Sequence, residues 1–292
     1  MKPNSTPAIL VTGATGNNGS ELVKLLASRA IPVRAMVRSR QGSDALAALP
    51  GVEIAVGDFD LPESIARALE GIHKAFLVTN SSARAQEQQC GFVATARRAG
   101  LKHIVKLSQY AAREDSPVRF LRYHAAVERS IMESGIPYTF LRPNLFMQGL
   151  LALRATIQTS GQFFAPIGDA RVSVVDVRDN AAAAFAALTE AGHEGRVYEL
   201  TGPEALTHAE MAERLSGALG RAIRFTDLAP EAMREAVLGL GFPAWQADGL
   251  VEDYAHYRRG EAQAVAPGVL EATGRPPRSF AAFARDYAAA FA

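Results

Sequence analysis

One cysteine, Cys90, is all that 292 residues contain. No intrachain disulfide can form, and a reducing, cytoplasmic setting is expected. No Cys/His cluster at ligand spacing is present, so no metal site is expected. No uninterrupted apolar run reaches the roughly 20 residues of a membrane-crossing helix. The opening Met1–Pro7 is polar and has no apolar h-region, so neither a secretory leader nor membrane attachment is expected. Neither sign of charge dominates: 31 Lys and Arg face 30 Asp and Glu, for a net charge of +1. Nucleic acid is therefore not expected as a partner. Two narrower gaps matter more. There is no acidic residue between Glu21 and Asp44, and no lysine beyond Lys106.

With 48% hydrophobic and 21% charged residues, the chain can build one large or two moderate cores. Its organising stretch is 9–19, ILVTGATGNNG. Ile9 to Val11 reads as a buried strand, and Ser20 to Ala30 as a helix with an apolar stripe through Leu22, Leu25 and Leu26. A glycine-rich turn between strand and helix suits a dinucleotide. Gly13 permits the tight turn, Gly16 lets a pyrophosphate approach the backbone, and Gly19 lets the helix pack closely on the strand. Thr15, Asn17 and Asn18 complete the candidate phosphate loop at a helix N-terminus. The bland alternative is a tight turn with no ligand. A second strand, Ile31 to Val37, ends in Arg38-Ser39-Arg40, where an NAD-preferring fold places an acid for the ribose 2′-OH. Arg38 suits a 2′-phosphate instead, through charge-assisted bonds of about 1.5–3 kcal/mol each. NADP(H) is the expected cofactor, unless Arg38 and Arg40 are merely solvated.

Strands and helices then alternate. Strands are expected at 51–56, 74–79, 103–107 and 138–141, and helices at 62–70, 86–99 and 122–134. This pattern implies an α/β fold with a doubly wound parallel sheet of the Rossmann type. After the third strand, Asp58 and Phe59 are candidates for the adenine, or they form a turn capping the next helix. Thr79 and Asn80 end the fourth strand, where ligands of such sheets bind. From about Leu150 the pattern loosens. Residues 161–173 suit a loop or small sheet. A helix is expected over 180–191, with Asp179 as N-cap and Gly192 as C′ residue, then a strand at 196–200 returning to the main sheet. Thr207 and Glu210 form a capping box that opens a helix to Leu219, stopped by Gly220. Further helices are expected at 231–238, 245–259 and 279–291. The implied domains are a dinucleotide-binding unit over 1–150, to which 174–202 returns, and a smaller, mainly helical substrate-side unit from 151–173 and 203–292.

Thr12-Gly-x-x-Gly-x-x-Gly19 resembles the extended and atypical short-chain dehydrogenase/reductases. Gly100-Leu-Lys-His-Ile-Val105, His124-x-x-x-Glu128, Pro137-Tyr-Thr-Phe-Leu-Arg-Pro143 and Thr273-Gly-Arg-Pro-Pro277 narrow the resemblance to the NmrA-like group. That group includes triphenylmethane reductase and type 2 NADPH:quinone oxidoreductase relatives. The resemblance implies substrate between a Rossmann domain and a carboxyl-terminal domain. It also admits regulators that bind dinucleotide without known catalysis.

Ordinary members of the larger superfamily use a Tyr-x-x-x-Lys dyad as proton donor. None of the seven tyrosines here has a lysine four residues on. In the family alignment Phe120 falls at the tyrosine position and His124 at the lysine position. Hydride delivered to a simple ketone leaves a basic alkoxide that needs a positioned acid. A quinone or cationic dye gives a stabilised product and depends on orientation instead. His124 is a candidate to bond the nicotinamide ribose or to donate a proton, or else it pairs structurally with Glu128. Ser108 and Tyr110, after the fifth strand, are candidate substrate-side hydroxyls. Asn144, Phe146 and Met147 are candidate pocket walls or core. Phe163, Phe164, Phe242 and Trp245 are candidates for an aromatic lining. The reading favoured is an NADPH-dependent reductase of a quinone-like or other conjugated, electron-poor small molecule. The alternative is a non-catalytic NADP(H) sensor acting through a protein partner. An isomerase or epimerase is disfavoured by the missing dyad.

Overall fold

Short, largely apolar runs, several of them rich in β-branched residues, form most of the strands. In the computed structural model, which describes residues 8–292, these are Ile9–Val11 (β1), Val33–Val37 (β2), Val52–Val56 (β3), Lys74–Leu77 (β4), His103–Leu107 (β5), Tyr138–Pro143 (β6), Gln162–Ala165 (β7), Arg196–Leu200 (β8) and Arg224–Asp227 (β9). The polar start Met1–Pro7 lies outside the described residues. β1, β2 and β5 are buried along their whole length, as strands covered on both faces must be. The main sheet has seven strands in the order β3-β2-β1-β4-β5-β6-β8. Its pairings from β3 through β6 are parallel. The order reverses between β1 and β4, the switch point at which doubly wound sheets open a crevice at their carboxyl ends. The return of residues 196–200 to the main sheet is as the sequence suggests.

The chain divides into two compact units. The first comprises the chain up to Gln109, Tyr123–Arg142 and Asn180–Tyr198. The second comprises Tyr110–Arg122, Pro143–Asp179 and Glu199–Ala292. The first holds a core of Leu10, Ile65, Phe92, Ile104, Val127 and Phe140, among others. The second packs Phe163, Ile167, Leu215, Phe280, Phe283 and Phe291 together and carries the two-stranded parallel sheet β7-β9. Among the described residues no helix is long and apolar enough to cross a membrane.

Several local expectations are corrected. The first helix is Asn17–Ser28, three residues earlier than its apolar stripe suggests. The helix Arg119–Ser134 also starts early, because the carboxylate of Glu252, far along the chain, accepts the Arg119 backbone N–H at 2.8 Å. Asp179 is not an N-cap. The helix begins at Val177, and it is Asp176 whose carboxylate accepts the Arg178 N–H at 2.9 Å. Asp179 instead accepts the Arg278 N–H at 2.7 Å and pairs with its guanidinium. That helix stops at Thr189, so Gly192, with φ +90°, lies beyond the C′ position. Asp58 caps no helix; its Oδ1 accepts the Asp60 N–H at 2.9 Å. The expected single helix over 279–291 is broken at Tyr287 into Phe280–Asp286 and Ala288–Phe291. The Thr207–Glu210 capping box and the left-handed Gly220 stop are present as expected.

Candidate functional site

The turn after β1 is built by its glycines in three different ways. Gly13 sits at φ +57°, and a Cβ there would meet Val78 Cγ1 at 2.8 Å. A Cβ on Gly19 would run into the backbone of Gly13, coming within 2.7 Å of its carbonyl carbon. Gly16 is different: its φ of −83° and ψ of 171° suit any residue, and its only near neighbour would be the Gly13 oxygen at 3.3 Å. Gly16 is therefore under a lighter packing demand than Gly13 and Gly19, with no side chain near the place a Cβ would take. The turn is tied to β4 by Thr12, whose Oγ1 donates to the Val78 carbonyl at 2.9 Å and accepts the Val78 N–H at 2.9 Å. The helix Asn17–Ser28 has no side-chain cap and no acid in its first turn. Its leading N–H groups lack intrahelical acceptors. Thr15, Gly16 and Asn17 are exposed beside them. Asn18 is buried and differs in role, its Oδ1 accepting from Asn180 Nδ2 at 3.0 Å.

At the end of β2, Arg38, Ser39 and Arg40 are exposed. Among the described residues neither arginine is in an ion pair, so the guanidinium of Arg38 is available to an anion. After β3, Phe59 is half-buried and tilted on Phe92 with ring centres 5.9 Å apart. After β4, Thr79 Oγ1 accepts from Gln89 Nε2 at 2.8 Å, and Asn80 is exposed.

His124 has a partner that the sequence reading missed. Lys106 Nζ lies 3.0 Å from His124 Nδ1 and donates to the Leu107 carbonyl at 2.7 Å. Lys106 is 0% exposed and His124 9%. Burial pulls the lysine down to about 7, against the raising influence of Glu128 and Cys90. Burial also holds the imidazole well below its ordinary value, reinforced by the positive charges of Lys106 and Arg142. A cationic His124 acting as acid at neutral pH does not fit this setting. Nor does the expected His124–Glu128 pair, since the Glu128 carboxylate takes Arg142 through bonds of 3.0 and 2.5 Å. The Tyr123 ring lies 4.2 Å from that of His124, and its hydroxyl meets Ser81 Oγ at 2.9 Å. Ser108 Oγ is buried with no hydrogen-bond partner among the described residues. The one signal for Lys106 was a lysine inside the apolar run HIVKL.

These features match known proteins along nearly the whole chain. The model of the NmrA-like family matches residues 5–266. The chain belongs to the NmrA-like family. The NAD(P)H azoreductase of Xenophilus azovorans is 40% identical over 283 residues, covering 97% of this chain and 99% of the relative. The (4-alkanoyl-5-oxo-2,5-dihydrofuran-3-yl)methyl phosphate reductase of Streptomyces griseus subsp. griseus is also 40% identical, covering 97% and 99%. Among solved structures, the NADPH-dependent quinone oxidoreductase of Escherichia coli complexed with NADPH superposes with a TM-score of 0.84. It is 28% identical and covers 95% of this chain and 99% of that one.

In this NmrA-like chain the second unit holds a small, mainly apolar recess with a cavity volume of about 70 Å³. Phe146, Met147, Phe163, Phe164, His208 and Tyr254 line it. Two expected aromatic residues do not. Phe242 is exposed, and Trp245 packs on Phe120 with ring centres 5.4 Å apart and Arg119 stacked at 5.5 Å. Asn144 is structural rather than a pocket wall: its Nδ2 donates to Ser173 Oγ at 2.9 Å and to the Ala262 carbonyl at 2.8 Å. Tyr110 is half-buried against the core of this unit, and burial raises its phenol. Among the described residues no group of three or more His, Cys, Asp or Glu side chains is placed to hold a metal ion.

Proposed function

We propose that this chain is an NADPH-dependent reductase that delivers hydride to a conjugated, electron-poor small molecule such as a quinone or an azo compound. The observation that carries the reading is the uncapped, acid-free helix N-terminus at Gly16, an exposed glycine whose added Cβ would have only the Gly13 oxygen as a near neighbour. An anion fits there, since oriented N–H groups and the helix dipole favour negative charge. Gly13, Thr15, Gly16, Asn17 and Gly19 would hold the pyrophosphate, with Asn18 anchoring the loop from below. Arg38 would take the 2′-phosphate. Asp58 and Phe59 would flank the adenine, and Thr79 and Asn80 the nicotinamide half. NADPH, when bound, supplies the hydride.

The chain's own contribution is binding and orientation. His124 is a neutral imidazole and serves as a hydrogen-bonding group rather than as an acid. Ser108 Oγ, buried and unpartnered, has its hydrogen-bonding capacity in reserve for a ligand, and Tyr110 is the second substrate-side hydroxyl. With no Tyr-x-x-x-Lys dyad, a basic alkoxide has no dedicated proton donor. An acceptor whose reduced form is stabilised by conjugation, and is protonated by solvent, matches this equipment. The names of the relatives agree: an azo bond, a quinone, and an alkene conjugated to a lactone carbonyl are all such acceptors.

The test follows NADPH absorbance against quinones, azo dyes, triphenylmethane dyes, simple ketones and secondary alcohols. Turnover is expected with the first three classes. A missing general acid forfeits about 10²–10⁴ in rate, so ketone reduction should be slower by that order. Ketone reduction as fast as quinone reduction would refute the mechanism. Tight NADPH binding without turnover on any acceptor would refute the enzymatic reading.

A further inference from the structure

We propose that Lys106 is a positioning residue whose ammonium, sealed in β5 against Nδ1 of His124, locks the imidazole in the tautomer that carries its proton on Nε2. An ammonium has three donors and no lone pair. At 3.0 Å from Nζ, Nδ1 must therefore be the acceptor whenever the lysine is charged, and the proton must sit on Nε2. His124 then presents a neutral donor of fixed direction. When Lys106 is deprotonated, its nitrogen can accept, the constraint lapses, and the proton is free to move to Nδ1. The pair is thus a switch in which the lysine titrates and the histidine changes its face.

The surroundings favour this division of labour. Lys106 is fully buried, yet it has an acceptor in the Leu107 carbonyl at 2.7 Å and the field of the Glu128 carboxylate. Glu128 is in turn shared with Arg142, which with Lys106 discourages a second positive charge on His124. Cys90 is the other titratable group that acts on the lysine. The Tyr123 ring, tilted on that of His124, bears its hydroxyl on Ser81. The proton that leaves near neutrality is therefore that of Lys106, at about 7, while His124 stays neutral throughout. The use of the Nε2 donor, for a ribose hydroxyl or a heteroatom of the acceptor, rests on the proposed reductase function; the tautomer lock does not.

Long-range ¹H–¹⁵N NMR of ¹⁵N-histidine-labelled protein tests the lock without any turnover, with His124→Gln assigning the signal among six histidines. Below neutrality the wild type should show a lone-pair Nδ1 and a protonated Nε2, and both shifts should move as pH rises through about 7. Lys106→Met should abolish that inflection. An imidazolium signature at neutral pH, or no inflection in the wild type, overturns the proposal even if the variant fails to fold. In parallel, NADPH affinity and quinone turnover should fall about three- to tenfold on the alkaline side in the wild type and be flat in Lys106→Met. Robust turnover with a histidine indifferent to pH defeats the lock alone. The expected NMR signature with no turnover on any acceptor defeats the reductase reading alone.

Discussion

Gly16 and Gly19 stand three residues apart in one turn, yet substituting them should produce opposite phenotypes. Gly16 already has the backbone angles of an ordinary residue. Replacing it with alanine restricts the unfolded chain, a gain of about 0.4–1 kcal/mol, set against mild crowding with the Gly13 oxygen at 3.3 Å. Stability should change by less than about 1 kcal/mol. Gly16→Val places two methyl groups where a pyrophosphate needs to lie, and NADPH affinity should fall by roughly a hundredfold or more, as expected for about 3 kcal/mol. At Gly19 the added Cβ meets main chain, with the Gly13 carbonyl carbon at 2.7 Å and Ala14 Cα at 3.0 Å. Neither can rotate away, so helix and turn must separate. Overpacking of this kind costs about 1–3 kcal/mol. Urea denaturation and calorimetric titration of NADPH should be run on all three variants. Gly16→Val should keep the wild-type midpoint and lose binding, and Gly19→Ala should lose stability. Normal NADPH affinity in a folded Gly16→Val protein, or an unchanged midpoint in Gly19→Ala, would show that the phosphates or the packing lie elsewhere.

Arg38→Asp should reverse the preference for NADPH over NADH; losing one charge-assisted contact of about 2–3 kcal/mol corresponds to roughly thirty- to hundredfold in affinity. Equal wild-type affinities for the two cofactors, measured by calorimetry, would refute it. Lys106→Met should stabilise the protein in a pH-dependent way. The lysine sits at about 7 folded against 10.5 unfolded, so the unfolded chain holds the extra proton between those values and wild-type stability rises with pH across that window. The variant's advantage, on the order of a few kcal/mol, should be full below pH 7 and vanish towards 10.5, read from urea midpoints at matched pH. Thr207→Ala should cost about 1 kcal/mol by removing the Thr207 acceptor that takes the Glu210 N–H at 3.1 Å; an unchanged midpoint would show that the cap adds nothing.

Signals confined to a few neighbouring residues were legible in advance. The strand–glycine–helix stretch, the run of alternating elements, the Thr207 box and the left-handed stop at Gly220 depend on local chemistry, and local chemistry is written in order along the chain. Features made by distant residues were not legible. The start of the helix at Arg119 is set by Glu252. β9, Arg-Phe-Thr-Asp, has no strand pattern of its own and exists through its pairing with β7. The same holds at the candidate site. Gly13 and Gly19 could be assigned roles because a Cβ has one place to go. The state of His124 depended on a lysine one strand away, and periodicity carries no information about which two side chains a sheet and a helix bring within hydrogen-bonding distance.

Each unit is stitched from three separate stretches of chain, and this governs how the protein can be made and cut. As the polypeptide leaves a ribosome, the first unit lacks its last piece until Tyr198 has emerged, and the second lacks its last piece until Ala292. Early β-strands must wait for a late partner, β8, that closes the edge of their sheet. No single cleavage separates the two units into complete halves, so a deletion series taken from either end cannot remove one unit whole and leave the other intact. Dissecting this protein calls for circular permutation or paired internal cuts.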